Sequence, residues 1–254
     1  MLHTFAYAGA KTDSTANEAA PAPADQSMTR TSNANTYLMP FDCQVAWAAA
    51  INDTITRARL NFPSYRDLGF PEITPLIALA KPSAAFSLCD WGTNGPRVKK
   101  TEEFGVDTSN GVSTVDQIGA VISIIDRIDP IPAGRRFTVR GTAAQTLVLY
   151  NWTIGTITLD QTLPFGRYGV IGMACVCDSA YAARLVFPQN TSMRPGVVPG
   201  TAIANYDYRQ IMRAGRFGLL GTFDQTAPPQ LEVLGEAAGA QTPAVYLDLV
   251  ELRG

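Results

Sequence analysis

The chain has 254 residues, 46% hydrophobic and only 17% charged, with 20 Lys and Arg against 22 Asp and Glu for a formal charge of −2. That length holds one large domain or two of about 125 residues, each able to bury a core. The sequence contains no run of ~18 apolar residues for a membrane-crossing helix and no basic excess to grip nucleic acid, while charge below the ~25% of typical soluble chains leaves a largely neutral surface, suited to burial against copies of itself.

Short runs rich in Val, Ile, Thr, Tyr and Phe, punctuated by Gly, Pro and Asn, predict an all-β chain. The first strand is expected at 2–8. No basic region precedes an apolar stretch there, so no secretory leader is expected. His3, the only histidine, excludes histidine-rich metal sites and leaves a Ser-His-Asp triad only a terminal residue to use; it reads as a strand-edge or surface residue. Residues 10–37 are Ala, Thr, Ser, Asn, Asp and Pro with almost no large apolar side chain. They cannot build a core, and their ordering is expected to need neighbouring structure or other chains.

Strands follow at 44–52 and 55–62, with Asn52-Asp53-Thr54 as a hairpin turn, and a short helix is expected over 73–80. Next come a strand at 84–90, an acidic cluster of Glu102, Glu103 and Asp107 read as solvent-facing, and a strand at 118–128. The Pro and Gly of DPIPAG at 129–134 punctuate the chain. Beyond them, eight strands are predicted at 136–143, 146–152, 154–160, 167–177, 180–187, 216–223, 229–234 and 244–252. A second short helix is expected over 202–212, with Ile203, Tyr206 and Gln210 on one face. Cys43, Cys89, Cys175 and Cys177 are expected as free thiols. The Cys175–Cys177 spacing is not that of a zinc pair, and a reducing compartment is the default.

The most informative feature is a repeat at an offset of 125. Residues 45–63 read VAWAAAINDTITRARLNFP and residues 170–188 read VIGMACVCDSAYAARLVFP. Eight of these nineteen aligned positions are identical, including Asp53/Asp178, Arg59/Arg184, Leu60/Leu185 and Phe62/Phe187; chance gives about one or two. Fainter echoes pair Gly92-Thr93 with Gly221-Thr222. In the second strand of each repeat Ala, Leu and Phe alternate on one face, and Arg59 or Arg184 lies on the other. The first strands, 45–52 and 170–176, are apolar on both faces and so must be covered on both. Val45, Trp47, Ala49 and Ile51 share one face of the earlier strand, and Ile171, Met173 and Cys175 share one of the later. Trp47, Met173, Arg59 and Arg184 are therefore the candidate interface and repeat positions. The reading is two tandem eight-stranded antiparallel sandwiches of jelly-roll type, at 1–129 (with the polar excursion 10–37) and 130–254; the competing reading is a chance match within one larger β domain.

Tandem sandwiches, each with a small helix after an Arg-Leu-x-Phe-Pro strand, resemble the double jelly-roll major capsid proteins of tailless icosahedral viruses, including phages with an internal membrane. The resemblance implies a structural protein without catalysis, cofactor or metal. It implies a homotrimer forming a pseudo-hexameric capsomer that tiles an icosahedral virion shell assembled in the host cytoplasm. The implied partners are other copies, virion proteins such as a vertex protein, and an internal membrane beneath the shell, with no specific nucleic acid binding. Sixteen of the 20 basic residues are Arg, which suits interface pairs and follows equally from a GC-rich genome.

The rival class is a tandem carbohydrate-binding or viral attachment module, which would expose aromatics such as Trp91, Tyr150 and Trp152. An enzyme needs a paired acid and base, for which Glu232, Glu236, Asp248 and Glu251 are the candidates. The segment at 215–218 has no phosphate-loop lysine. Asp53 and Asp178 read as turn-stabilising residues in preference to calcium ligands.

Overall fold

The computed structural model describes residues 1–11, 18–32, 35–51, 55–66, 78–79, 88–110, 116–201 and 210–252. They divide into two compact units, one drawn from residues 5–126 and the other from residues 127–252 together with residues 1–4. Both are built of β-strands. Among the described residues helix is confined to one turn at Pro63–Arg66 and a 3-10 turn at Gln210–Met212, and no helix is long and apolar enough to cross a membrane.

The N-terminal strands are β1 (Leu2–Lys11), β2 (Glu18–Ala19), β3 (Thr29–Arg30), β4 (Thr36–Leu38), β5 (Cys43–Ile51), β6 (Ile55–Asn61), β7 (Ala78–Leu79), β8 (Cys89–Asp90), β9 (Arg97–Val98), β10 (Glu103–Asn110) and β11 (Asp116–Ile125). One sheet runs β1-β11-β5, with β7, β8 and β9 along the far side of β5. In the other, β10 lies between β6 and the short strands β2 and β4, and β3 extends β4. Their inner faces share a core of Phe5, Val45, Leu60, Phe104, Val106 and Ile122. Phe62 stacks on Phe104 at 5.1 Å, and Phe5 meets Phe104 edge-on at 5.6 Å, geometries that aromatic quadrupoles favour.

The C-terminal strands are β12 (Arg136–Thr142), β13 (Gln145–Leu147), β14 (Trp152–Thr156), β15 (Thr158–Leu159), β16 (Arg167–Val176), β17 (Ala180–Val186), β18 (Gly196–Val197), β19 (Gly221–Asp224), β20 (Gln230–Gly235), β21 (Gly239–Gln241) and β22 (Ala244–Leu252). Their sheets run β15-β12-β22-β16-β19 and β14-β20-β17-β18, with β13 and β21 as a separate pair. Phe187, just past β17, packs onto Gly221 of β19. A Cβ at Gly221 would lie 2.6 Å from the Phe187 ring, so glycine is what lets the two layers close there.

The ladders of the two units coincide residue for residue at the offset of 125. On β5 and β11, Ala120 faces Ala50 and Ile122 faces Ala48; on β16 and β22, Val245 faces Cys175 and Leu247 faces Met173. Both ladders then slip by one residue, passing over Ala46 in one unit and Ile171 in the other. The second ladder repeats as well, with Asp107 facing Arg59 and Glu232 facing Arg184, and its irregularity passes over Thr56 and Tyr181.

The bulges correct the assignment of faces. A bulge inverts the alternation beyond it, so Val45 joins Ala48 and Ala50 in the core, while Trp47, Ala49 and Ile51 turn to the outer face. By register Trp47 corresponds to Gly172, not to Met173. Trp47 and Met173 are both completely buried within the chain.

Several elements differ from expectation. Glu103 and Asp107, read with Glu102 as a solvent-facing acidic cluster, lie on the central strand β10, in which Phe104, Val106 and Thr108 alternate inward and Asp107 is itself buried. Of the helix expected at 73–80, only residues 78–79 are described, and they are strand. Of the segment 202–212, residues 210–212 form a 3-10 turn. The strand expected at 146–152 is instead β13 and the start of β14, separated by a turn in which Tyr150 has φ +56°. The Asp178 turn joins strands of different sheets and makes no hairpin ladder; its counterpart at Asp53 lies outside the described residues. Gly92 sits in a turn, whereas Gly221 opens a strand.

The described part of 10–37 is held by its own chain. Ala20, Ala22, Met28 and Tyr37 are buried, Ala20 N–H donates to the Val106 carbonyl at 2.7 Å, and the Tyr37 hydroxyl donates to the Pro23 carbonyl at 2.5 Å. Two alanines, one methionine and one tyrosine, backed by backbone bonds, supply the anchoring that composition alone hides.

All four cysteines are free, and only Cys89 is less than fully buried. Burial, followed by Asp42, Asp126 and Glu102, pushes the Cys43 thiol up to about 12. Because the thiolate is the reactive form, a disulfide-exchange reagent should modify Cys89 first in the native protein. It should find four thiols after unfolding without reductant.

Candidate functional site

The polar groups that the fold buries are cross-strand ion pairs. In the C-terminal unit, Arg184 of β17 is 0% exposed, an uncommon position for a guanidinium. Its Nε donates to Glu232 Oε2 at 2.6 Å, its Nη1 donates to the Thr4 carbonyl at 2.9 Å, and its Cζ sits 3.8 Å from the Trp152 ring centroid. Arg194 Nη1 donates to both Glu232 oxygens, at 2.9 and 2.6 Å. Two cations thus share one carboxylate, and a carbonyl and an indole face carry the excess positive charge. His3 and Thr4 complete the cluster. The Arg194 N–H donates to His3 Nδ1 at 3.1 Å and the Gly196 N–H to Thr4 Oγ1 at 2.9 Å. The histidine expected at a strand edge or surface is therefore buried, 1% exposed.

At the matching register of the other unit, Arg59 Nε donates to Asp107 Oδ2 at 3.2 Å and Asn61 Nδ2 to the same oxygen at 2.9 Å. Here the side chains keep 22% and 10% exposure. Glu102, from the same expected acidic cluster, accepts from the Ser64 N–H and hydroxyl and the Lys99 N–H; Glu103 is exposed.

A third pair lies on the outer face of the β12-β22-β16 sheet. Asp248 accepts from Arg213 Nε at 2.6 Å, Arg213 Nη2 at 2.7 Å, Thr138 Oγ1 at 2.7 Å and the Ala214 N–H at 3.1 Å. Gly172 faces Asp248 across the ladder, where a Cβ would come within 2.5 Å of Oδ2. The equivalent site of the other unit holds Trp47 opposite Ser123, an indole in place of an ion pair. Burial pushes the Asp248 carboxyl up, but the bonds from Arg213, Thr138 and Ala214 together outweigh it and hold it below its ordinary value.

This geometry decides how the acids named from sequence are used. Glu232 and Asp248 belong to different sheets, and each is bonded to arginine. Glu236 and Glu251 are half-buried at strand ends, and Asp178 is exposed, with its carboxylate accepting from Ser179. Among the described residues no group of His, Cys, Asp and Glu is arranged to hold a metal. The aromatics expected of a glycan platform have other work: Trp91 packs on the core, Trp152 lies against Arg184, and Tyr150 stacks on Tyr181. Sequence pattern singled out Arg59 and Arg184, but not their partners. Asp107 and Glu232 are themselves 125 apart, a signal available in the sequence once β10 is read as a strand. No family model, curated protein or solved structure matches the chain.

Replacing Glu232 with Gln should leave two buried guanidiniums uncompensated and cost about 3–5 kcal/mol of C-terminal-unit stability. Asp107→Asn should cost less, because water still reaches that pair. Urea unfolding of both variants measures the difference.

Asp248 has a lower pKa folded than unfolded. Its contribution is therefore complete above the unfolded value, about 3.9, and is lost as pH falls through the depressed folded value. Asp248→Asn should flatten the stability loss that sets in as pH falls below the unfolded value, about 3.9, as followed by acid titration.

Proposed function

We propose that this chain is a shell-forming structural protein: two tandem jelly rolls that assemble as trimers into pseudo-hexameric units of an icosahedral capsid. The observation that carries the reading is strand order. Taking β12, β14, β16, β17, β18, β19, β20 and β22 as strands one to eight, the sheets run 1-8-3-6 and 2-7-4-5. Strands one and eight, two and seven, three and six, and four and five are partners, the pattern of one long hairpin rolled upon itself. That is how a jelly roll is built.

The N-terminal unit follows the same rule through β1·β11, β11·β5, β5 with β8 and β9, β10·β6, and β10 with β2 and β4. It departs from the rule at β7, which pairs with β5 in parallel. Two rolls of identical register in one chain supply six rolls from three copies. A sixfold-like tile made from a threefold assembly needs that number, and a monomeric binding module has no use for it.

Sedimentation of the purified chain, with negative-stain micrographs of concentrated samples, tests this. A three-chain species that builds shell-sized particles is the expected outcome. A monomer at every concentration that is retained on a glycan column would replace it with the attachment-module reading.

A further inference from the structure

Two cavities in the C-terminal unit adjoin along Phe137 and Thr138. One, of about 350 Å³, reaches Arg136, Arg213 and Asp248. The other, of about 340 Å³, lies among Arg135, Leu163, Pro164, Tyr168 and Glu251. Three independent features coincide here.

First, the strand at the mouth is open. β15 covers β12 only at Gly141 and Thr142, and the Arg140 carbonyl accepts from Asp160 on that side. Backbone groups of a strand alternate in direction, so those of Arg136 and Thr138 point to the same side. No strand pairs with them there among the described residues. Unpaired edges are templates for another chain.

Second, the rim is cationic. Arg135 and Arg136 are exposed and make no ion pair among the described residues, although the Arg135 guanidinium lies 5.7 Å from the Phe137 ring centroid. Third, Phe165, on the loop that supplies Leu163 and Pro164, is 95% exposed, a large apolar side chain left bare beside the cleft.

The charge of the chain identifies the occupant. Residues 1–126 hold nine Lys and Arg against thirteen Asp and Glu, and residues 127–254 hold eleven against nine. The two halves thus carry opposite net charge, and a basic rim in one half is complementary to the other half of a neighbouring molecule. We infer that the open edge at residues 136–139, with Arg135, Arg136 and Phe165 around its cleft, is where a second copy docks, presenting its acidic N-terminal half. The contact is head-to-tail, so it can close a ring of copies. The inference rests on the shell reading and names the surface through which it is realised.

The test is sedimentation of the full chain as wild type, Arg135→Glu/Arg136→Glu, Phe165→Asp and the control Arg97→Glu, the same kind of charge reversal at one exposed site in the acidic half. The double variant and Phe165→Asp should each raise the concentration for half-dissociation at least about tenfold, and Arg97→Glu should leave it within about twofold. Added salt should weaken the wild type toward the double variant. If the double variant does not fold, Phe165→Asp, a change at a bare loop position, decides alone. A wild type that associates while these variants associate equally well overturns the inference and spares the shell reading; the arginines would then serve only to keep the edge unpaired. A wild type monomeric at every concentration overturns the shell reading itself.

Discussion

The architecture turns on one cross-strand contact, an arginine on β6 or β17 facing a carboxylate on β10 or β20. Arg184–Glu232 and Arg59–Asp107 occupy the same rung of the same ladder. A one-residue slip would place the guanidinium in the core and Leu185 or Leu60 outside. Such a pair contributes little net stability when fully buried, since desolvation offsets much of the attraction. Its effect is on register, because every alternative pairing strands a charge. The two units differ in how far they have closed over this pair. One seals it beneath a second arginine, an indole and residues 1–4, whereas the other keeps it at the edge of water.

Much of the C-terminal unit was legible from period-two patterns, and β16, β17, β20 and β22 lie within one or two residues of expectation. The repeat was legible too, because Arg-Leu-x-Phe-Pro follows a wholly apolar strand twice. Bulges were not. Ala46 and Ile171 are ordinary strand residues by composition, and only hydrogen-bond register reveals that the alternation reverses there. That single hidden residue is why Trp47 and Val45, read as one face, lie on opposite faces.

Polar strands were the other blind spot. β10 carries Glu103, Asp107, Thr108, Ser109 and Asn110, a composition that reads as loop, and its place in the sheet depends on long-range pairing with β6. The same holds for residues 18–38, where Ala20, Ala22 and Met28 are too small or too sparse to register as a core. The arginine partners of Glu232 and Asp248 were hidden for a related reason: they come from segments 35 to 48 residues away in sequence.

The constancy of the offset has a consequence for how this chain can change. Asn61 pairs with Gly105, and Val186 with Gln230, across intervening stretches of equal length. Among the described residues those stretches hold different elements: a helical turn and β7 to β9 in one, β18, the 3-10 turn and β19 in the other. Residue identity differs widely between the halves, while the count of residues between the paired rungs does not. The molecule behaves like a frame with interchangeable panels of fixed width: substitution within a connection is tolerated, whereas lengthening one would have to be absorbed without moving either anchored rung.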